Sequence, residues 1–143
     1  MGGYQEVIAL MCKAPIKNVF SLGRILRALA AVHTERAELE KAQAAMRDGR
    51  SFFDKAGEAW TVSDHDALLA GLMGKITNAA RVAGYMDSTF AARKSSRSRA
   101  EVRARDKLQS MLCEKLALDQ LMSLLVEGAT MTDDQAIRLI ADD

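Results

Sequence analysis

The sequence predicts an all-α protein, a single helical domain over residues 1–143, built as a bundle on two long antiparallel helices. Three observations predict it. Leucine, alanine, methionine, arginine, lysine, glutamate and glutamine dominate the composition, and these residue types favour helices. Apolar residues recur at helical spacing along several segments, whereas no segment alternates apolar and polar residues as a half-buried strand does. The chain also contains only one proline, which leaves room for long helices.

The first long helix is predicted over Ile16–Arg47, because Pro15 precedes it and proline is favoured at the start of a helix. Within this segment, positions alternately three and four residues apart form a coiled-coil-like seam. The seam positions are Leu22, Ile25, Leu29, Val32, Arg36, Leu39, Gln43 and Met46. A seam of this kind needs a second helix against it, so we expect a coiled-coil-like hairpin.

Shorter elements are predicted on either side of this helix. Gln5–Lys13 has the pattern of a short first helix. Asp48–Ser51 is predicted to end one helix and begin the next. Phe52–Trp60 carries the only aromatic cluster, which we expect to form a small core of its own. The alternative is an exposed patch that binds a partner. Ser63 can cap a third helix, with Asp66 three residues later, and that helix is predicted to end near Gly84.

The second long helix is predicted over Ser88–Glu127. Its first half is polar, whereas its second half is densely apolar, and Leu121–Val126 is apolar nearly all round. We therefore expect that stretch to be buried in the core or in a subunit interface. Thr132, with Gln135 in the capping-box position, is predicted to start a last helix. The residues that we single out for self-association are Leu29, Val32, Leu39, Leu118, Leu121, Met122 and Leu125.

A basic segment over Arg93–Lys107 stands apart from a chain whose net charge is only +1. Its seven basic residues are Arg93, Lys94, Arg97, Arg99, Arg103, Arg105 and Lys107, against Glu101 and Asp106. Such a segment can neutralise nucleic-acid phosphates, but its charges spread around the helix and no aromatic residue is interleaved for base stacking. Three interpretations remain open: the arginines offset acidic groups such as Glu35–Glu40 or the acidic C-terminal tail, they contact phosphates, or they bind an acidic protein.

No catalytic, metal-binding or nucleotide-binding motif is evident. The acidic-histidine groupings are His33 with Glu35 and Glu38, and Asp64-His65-Asp66. Adjacent helical residues point apart, so we expect no metal site in the second group and place His65 on the surface. Cys12 and Cys113 are expected to be reduced thiols, because disulfide-stabilised secreted domains normally use more cysteines.

Because no membrane span or secretory signal is recognisable, the sequence predicts a cytoplasmic protein. Because no cofactor-binding motif is evident, it predicts no cofactor. The predicted function is non-enzymatic: a helical protein–protein interaction module, such as an adaptor, assembly factor, chaperone or inhibitor. We expect a homo-oligomer, and a further protein partner. The alternative is a nucleic-acid-binding protein that uses Arg93–Lys107.

Overall fold

A computed structural model describes residues 16–58 and 60–141, with side chains from residue 21 onward. Among these residues the structure has seven α-helices and no strand, which confirms the predicted all-α class. The helices are α1 (Ile16–Glu35), α2 (Leu39–Lys55), α3 (Asp64–Leu72), α4 (Ile76–Arg93), α5 (Arg99–Lys115), α6 (Leu118–Ala129) and α7 (Asp133–Ala141). The predicted helix over Gln5–Lys13 lies outside the described residues.

The described residues fall into two compact units, divided between Trp60 and Thr61. In the first unit, α1 and α2 pack against each other as a helical hairpin. Leu26 is fully buried, and Ala30 is nearly so. The prediction of a single domain stays a prediction.

The second unit packs α3, α5, α6 and α7 against the central helix α4. Large apolar side chains from four of these helices share one core. Its members with no solvent exposure include Leu68 of α3, Val82 of α4, and Leu108 and Leu112 of α5, with Ala136 of α7 beside them. This core positions the outward faces of α5 and α6.

The first predicted long helix, Ile16–Arg47, is not continuous. It ends at Glu35, and a new helix starts at Leu39. Ala37 takes the left-handed conformation (φ 58°), while the amide of Glu38 donates to the carbonyl of His33 at 2.9 Å. This is a Schellman ending, and it occurs on alanine, where the sequence carries no glycine signal.

The second predicted long helix, Ser88–Glu127, is divided twice. Lys94 takes the left-handed conformation after α4, and Ser98 caps α5 in a capping box with Glu101. Leu116 and Ala117 are extended, so α6 starts afresh at Leu118. The antiparallel pairing of the two predicted long helices is not confirmed.

The predicted stop at Asp48–Ser51 is wrong, because α2 runs on to Lys55. Gly49 serves a different purpose: a Cβ there would lie 3.0 Å from the Trp60 ring and 3.4 Å from the carbonyl oxygen of Gly23. A small residue at position 49 therefore allows α2 to approach α1 closely. The aromatic cluster is buried as predicted, with the rings of Phe53 and Trp60 edge to face at 5.2 Å.

Both short capping boxes are confirmed. The amide of Asp66 donates to Ser63 Oγ, and Asp66 Oδ2 accepts from the Ser63 amide at 2.9 Å. Thr132 and Gln135 make the same reciprocal pair before α7. The third helix nevertheless ends at Leu72 rather than near Gly84, because Gly74 closes it in the left-handed conformation (φ 88°).

Candidate interaction site

Helix α6 carries a stripe of exposed apolar side chains. Leu118, Met122 and Val126 are 72%, 58% and 67% exposed. Because they are four residues apart, they lie along one side of the helix. We call these three residues the α6 stripe.

Another face of α6 is fixed by a close helix crossing. Gly84 of α4 and Gly128 of α6 lie so near the other helix that a Cβ on either would overlap a backbone carbonyl, that of Leu125 or of Arg81. Leu121 is buried beside this crossing. The α6 stripe therefore points outward because the other face of the helix is held against α4.

Leu121–Val126 is only partly buried within the chain, so the core does not cover all of it, and its burial in a subunit interface stays a prediction. Leu121 and Leu124 are buried within the second unit, Leu125 is half-buried, and Met122 and Val126 are exposed. Leu121 is thus unavailable as a contact with another copy while this unit is folded.

The predicted seam on α1 is also partly exposed. Ile25 and Val32 are 46% and 42% exposed, and Leu29 between them is half-buried. Helix α1 meets α2 with another face, which carries Leu26 and Ala30. We call Ile25, Leu29 and Val32 the α1 seam. Leu39, the next apolar position of the predicted seam, is half-buried at the start of α2.

Two of the seven basic residues hold the second unit together from within. Arg97 lies in the extended connection between α4 and α5, and it donates to the fully buried carboxylate of Asp64 through Nε at 2.8 Å and Nη2 at 3.2 Å. Its Nη2 also donates to Asp87 Oδ1 at 2.7 Å. Its guanidinium lies over the Phe90 ring at 4.5 Å, a cation–π geometry.

Arg105 completes this network from α5. It donates to both carboxylate oxygens of Asp87, at 3.0 Å and 2.8 Å, and to Gln109 Oε1 at 2.8 Å. Burial raises the pKa of Asp87, but the hydrogen bonds and charges of Arg105 and Arg97 outweigh it and leave that pKa below its usual range. Burial dominates at Asp64 and raises the pKa of its carboxyl, although Arg97 opposes the shift.

The seven basic side chains therefore form two groups, two in the ion-pair network and five exposed to solvent. Arg97 and Arg105 pair with Asp64 and Asp87, two carboxylates that the sequence did not identify as their partners. The remaining five side chains of the segment are exposed. They are Arg93, Lys94, Arg99, Arg103 and Lys107.

The acidic-histidine groupings have structural roles. His65 is buried, with 7% exposure, so its predicted place on the surface is wrong. Its neighbours Asp64 and Asp66 serve the ion-pair network and the capping box. His33 Nδ1 lies 3.0 Å from Glu38 Oε1, across the turn that ends α1.

In the part of the chain that the structure describes, no three His, Cys, Asp or Glu side chains come together as a potential metal site. Cys113 is exposed and accepts a hydrogen bond from Gln109 at 3.4 Å, whereas Cys12 lies outside the described residues. None of the described helices has the length and apolarity needed to cross a membrane. No protein-family model, curated protein or solved structure matched the chain.

An open groove of about 430 Å³ lies between α4, α6 and α7. It is lined by Arg81, Glu127, Thr130, Met131, Gln135, Arg138 and Leu139. Arg81 and Glu127 form an ion pair at 3.3 Å, and the Thr130 hydroxyl donates to the carbonyl of Glu127. Three of the groups in this groove, those of Arg81, Glu127 and Thr130, are thus engaged with one another.

Proposed function

We propose that the protein is a non-enzymatic helical interaction module, of the adaptor, assembly-factor, chaperone or inhibitor type, and that it self-associates. The observation that carries this proposal is the α6 stripe, three large apolar side chains that are each more than half exposed. Isolated exposed apolar residues are ordinary, but a contiguous patch of them is typical of an interaction site. Covering it gains about 25 cal/mol per Å² of apolar surface.

The α1 seam supports the same proposal. Sequence spacing of this kind is typical of helices that pair, yet Ile25 and Val32 remain exposed in the structure. A single chain therefore has two apolar helix surfaces that another helix could cover.

Light scattering at micromolar concentration tests the proposal. We expect the wild-type protein to have at least twice the mass of its 15.6 kDa chain. Changing Leu118, Met122 and Val126 to glutamine should reduce it to a monomer with unchanged helix content, because glutamine favours helices and the replaced side chains are exposed. Val102→Gln, at an exposed valine of α5, is the control and should leave the mass unchanged. A monomeric wild-type protein would contradict self-association.

Nucleic-acid binding remains the second candidate, and the observation in its favour is the five exposed cations of the basic segment. Against it, Arg97 and Arg105 are engaged inside the unit, so fewer charges are available than the sequence indicates. The test is retention on duplex DNA at physiological salt by the wild type and by a variant with Arg93, Lys94 and Arg99 changed to alanine. Phosphate contacts would lower the salt slope by about 0.9 for each one lost. We expect no retention by either protein.

A further inference from the structure

We propose that the α6 stripe of one copy docks on the α1 seam of a second copy. This inference rests on the proposed function, because it assumes self-association and names the two surfaces that meet. Since each chain carries both surfaces, a two-fold symmetric dimer would make the same contact twice.

The two surfaces match in kind and in length. Leu118 and Val126 are eight residues apart in α6, about 12 Å along the axis, and Ile25 and Val32 are seven residues apart in α1, about 10 Å. Each presents large aliphatic or methionine side chains on one side of a helix. Helices with such stripes bury them by packing side by side.

Charge selects this pairing over its alternatives. The charged residues of α6 are Asp119 and Glu127, a net charge of −2. Ser21–Arg36 contains three arginines and one glutamate, a net charge of +2 with histidine neutral. Pairing α6 with α6, or α1 with α1, brings like charges together, whereas pairing α1 with α6 brings opposite charges together. Complementary charges of this kind set register and partner choice.

The other charged groups near the two surfaces do not remove the difference in net charge between α6 and α1. Glu127 is already paired with Arg81, though it remains 56% exposed. Asp119 is exposed beside the stripe, and Arg24 is exposed on α1. Lys115, at the end of α5, is the basic group nearest in sequence to the start of the stripe. Asp119 and Arg24 are thus the charges best placed for reversal.

The test uses two oppositely charged variants. A basic variant carries Asp119→Lys and Ser123→Lys on α6, and an acidic variant carries Arg24→Glu and Ala28→Glu on α1. All four positions are exposed, and both pairs are spaced four residues apart on a helix. Lysine and glutamate favour helices, and a like-charge pair at this spacing costs only about 0.2–0.5 kcal/mol, so circular dichroism should show the wild-type helix content in both.

Matched controls place the same charges on other faces. Ser110→Lys with Glu114→Lys changes the charge of α5 as the basic variant changes that of α6. Arg47→Glu with Ser51→Glu does the same on α2 for the acidic variant. These four positions are also exposed and four residues apart. Both controls should keep the wild-type mass.

We expect each variant alone to dissociate at least tenfold more readily than the wild type, since its α1 and α6 surfaces then carry the same sign. An equimolar mixture should recover the wild-type mass, because the basic α6 of one chain meets the acidic α1 of the other, and the unchanged pair is also complementary. Light scattering and mixing of differently labelled chains measure both effects.

The other outcomes are distinguishable. If either variant alone keeps the wild-type mass, or if the mixture fails to recover it, the pairing of α1 with α6 is wrong while self-association stands. If the wild-type protein is a monomer, both the pairing and the proposed function fall.

Discussion

Two residues other than glycine, Ala37 and Lys94, adopt the left-handed backbone conformation among the described residues. Each follows the end of a helix and lets the next amide reach back to a helix carbonyl: Glu38 to His33, and Ser95 to Phe90. For a residue with a Cβ, this conformation costs about 1–2 kcal/mol. The chain accepts that cost at two points where it must change direction.

Ala37→Gly should therefore stabilise the protein, by up to about 1 kcal/mol, because glycine removes the steric cost while adding some freedom to the unfolded chain. The control is Ala28→Gly in the middle of α1, an exposed helical position where glycine should cost about 1 kcal/mol. Urea denaturation measures both. A continuous helix through residue 37 would make the two substitutions equally damaging.

Asp87 joins α4 to Arg97 and Arg105 through three hydrogen bonds. Because these arginines hold its pKa below the usual range, its ionised form contributes stability at neutral pH. That contribution is present above the ordinary aspartate pKa of about 3.9 and is lost as the pH falls through the lower folded-state value. Asp64 acts in the opposite direction: its pKa is raised by burial, so its contribution is greatest at acid pH and is lost as the pH rises.

Asp87→Asn should lower the free energy of unfolding at pH 7 by about 1–2 kcal/mol, a value reduced because the carboxylate is 42% exposed. The difference from wild type should shrink below pH 4 as the wild-type carboxylate takes up a proton. Urea denaturation across pH 3–7 measures this. A difference that is independent of pH would mean that the carboxylate charge is not what stabilises the site.

At the scale of elements, the crossing of α4 and α6 depends on two glycines. A Cβ at Gly84 or Gly128 would overlap the backbone of the facing helix, which cannot move aside as a flexible side chain can. We expect Gly84→Ala and Gly128→Ala each to cost more than about 2 kcal/mol, because the helices must separate and leave gaps in the core.

Gly71→Ala is the matched control for this prediction. A Cβ there would meet the ends of the Met111 and Leu108 side chains at 3.0 Å and 3.2 Å, and these can shift. Alanine also favours the helix by about 1 kcal/mol relative to glycine, so the change in stability should stay within about 1 kcal/mol. Equal losses at positions 71, 84 and 128 would show that the crossing is looser than described.

How well the sequence predicted these elements depends on whether the residues that form each feature are close in sequence and of the usual type. The caps at Ser63 and Thr132 were predictable because both partners lie within three residues. The breaks after α1 and α4 were not, because their left-handed positions hold alanine and lysine rather than glycine. Gly49 led to the prediction of a helix end that does not occur, because this glycine allows close packing within a continuous helix.

The candidate site was predictable only in part, for a similar reason. Met122 and Leu118 were among the residues singled out for self-association, but which face of α6 would remain exposed depends on its crossing with α4. The partners of Arg97 lie 33 and 10 residues away, at Asp64 and Asp87. Contacts over such separations are set by the fold and have no local sequence signal.

At the scale of the whole molecule, the two units differ in the core that they can build. The first has two described helices, whereas the second buries side chains from five. Below about 70–80 residues, a single core rarely contributes more than about 3–5 kcal/mol. The first unit should accordingly be the less stable of the two and open more often. A partner that covers the α1 seam would stabilise it, because binding to the folded state alone shifts the unfolding equilibrium.

Hydrogen exchange measured at two protein concentrations tests this link between stability and assembly. If α1 and α6 of different copies pair, amide protection of both helices should rise with concentration. At a protein concentration of 100 times the dissociation constant, the gain for a unit that opens alone is about 2.7 kcal/mol, or roughly a hundredfold slower exchange. The basic variant with Asp119→Lys and Ser123→Lys should lose the concentration dependence in both helices. Protection of α1 that is the same at both concentrations in the wild type would mean that no second copy covers its seam.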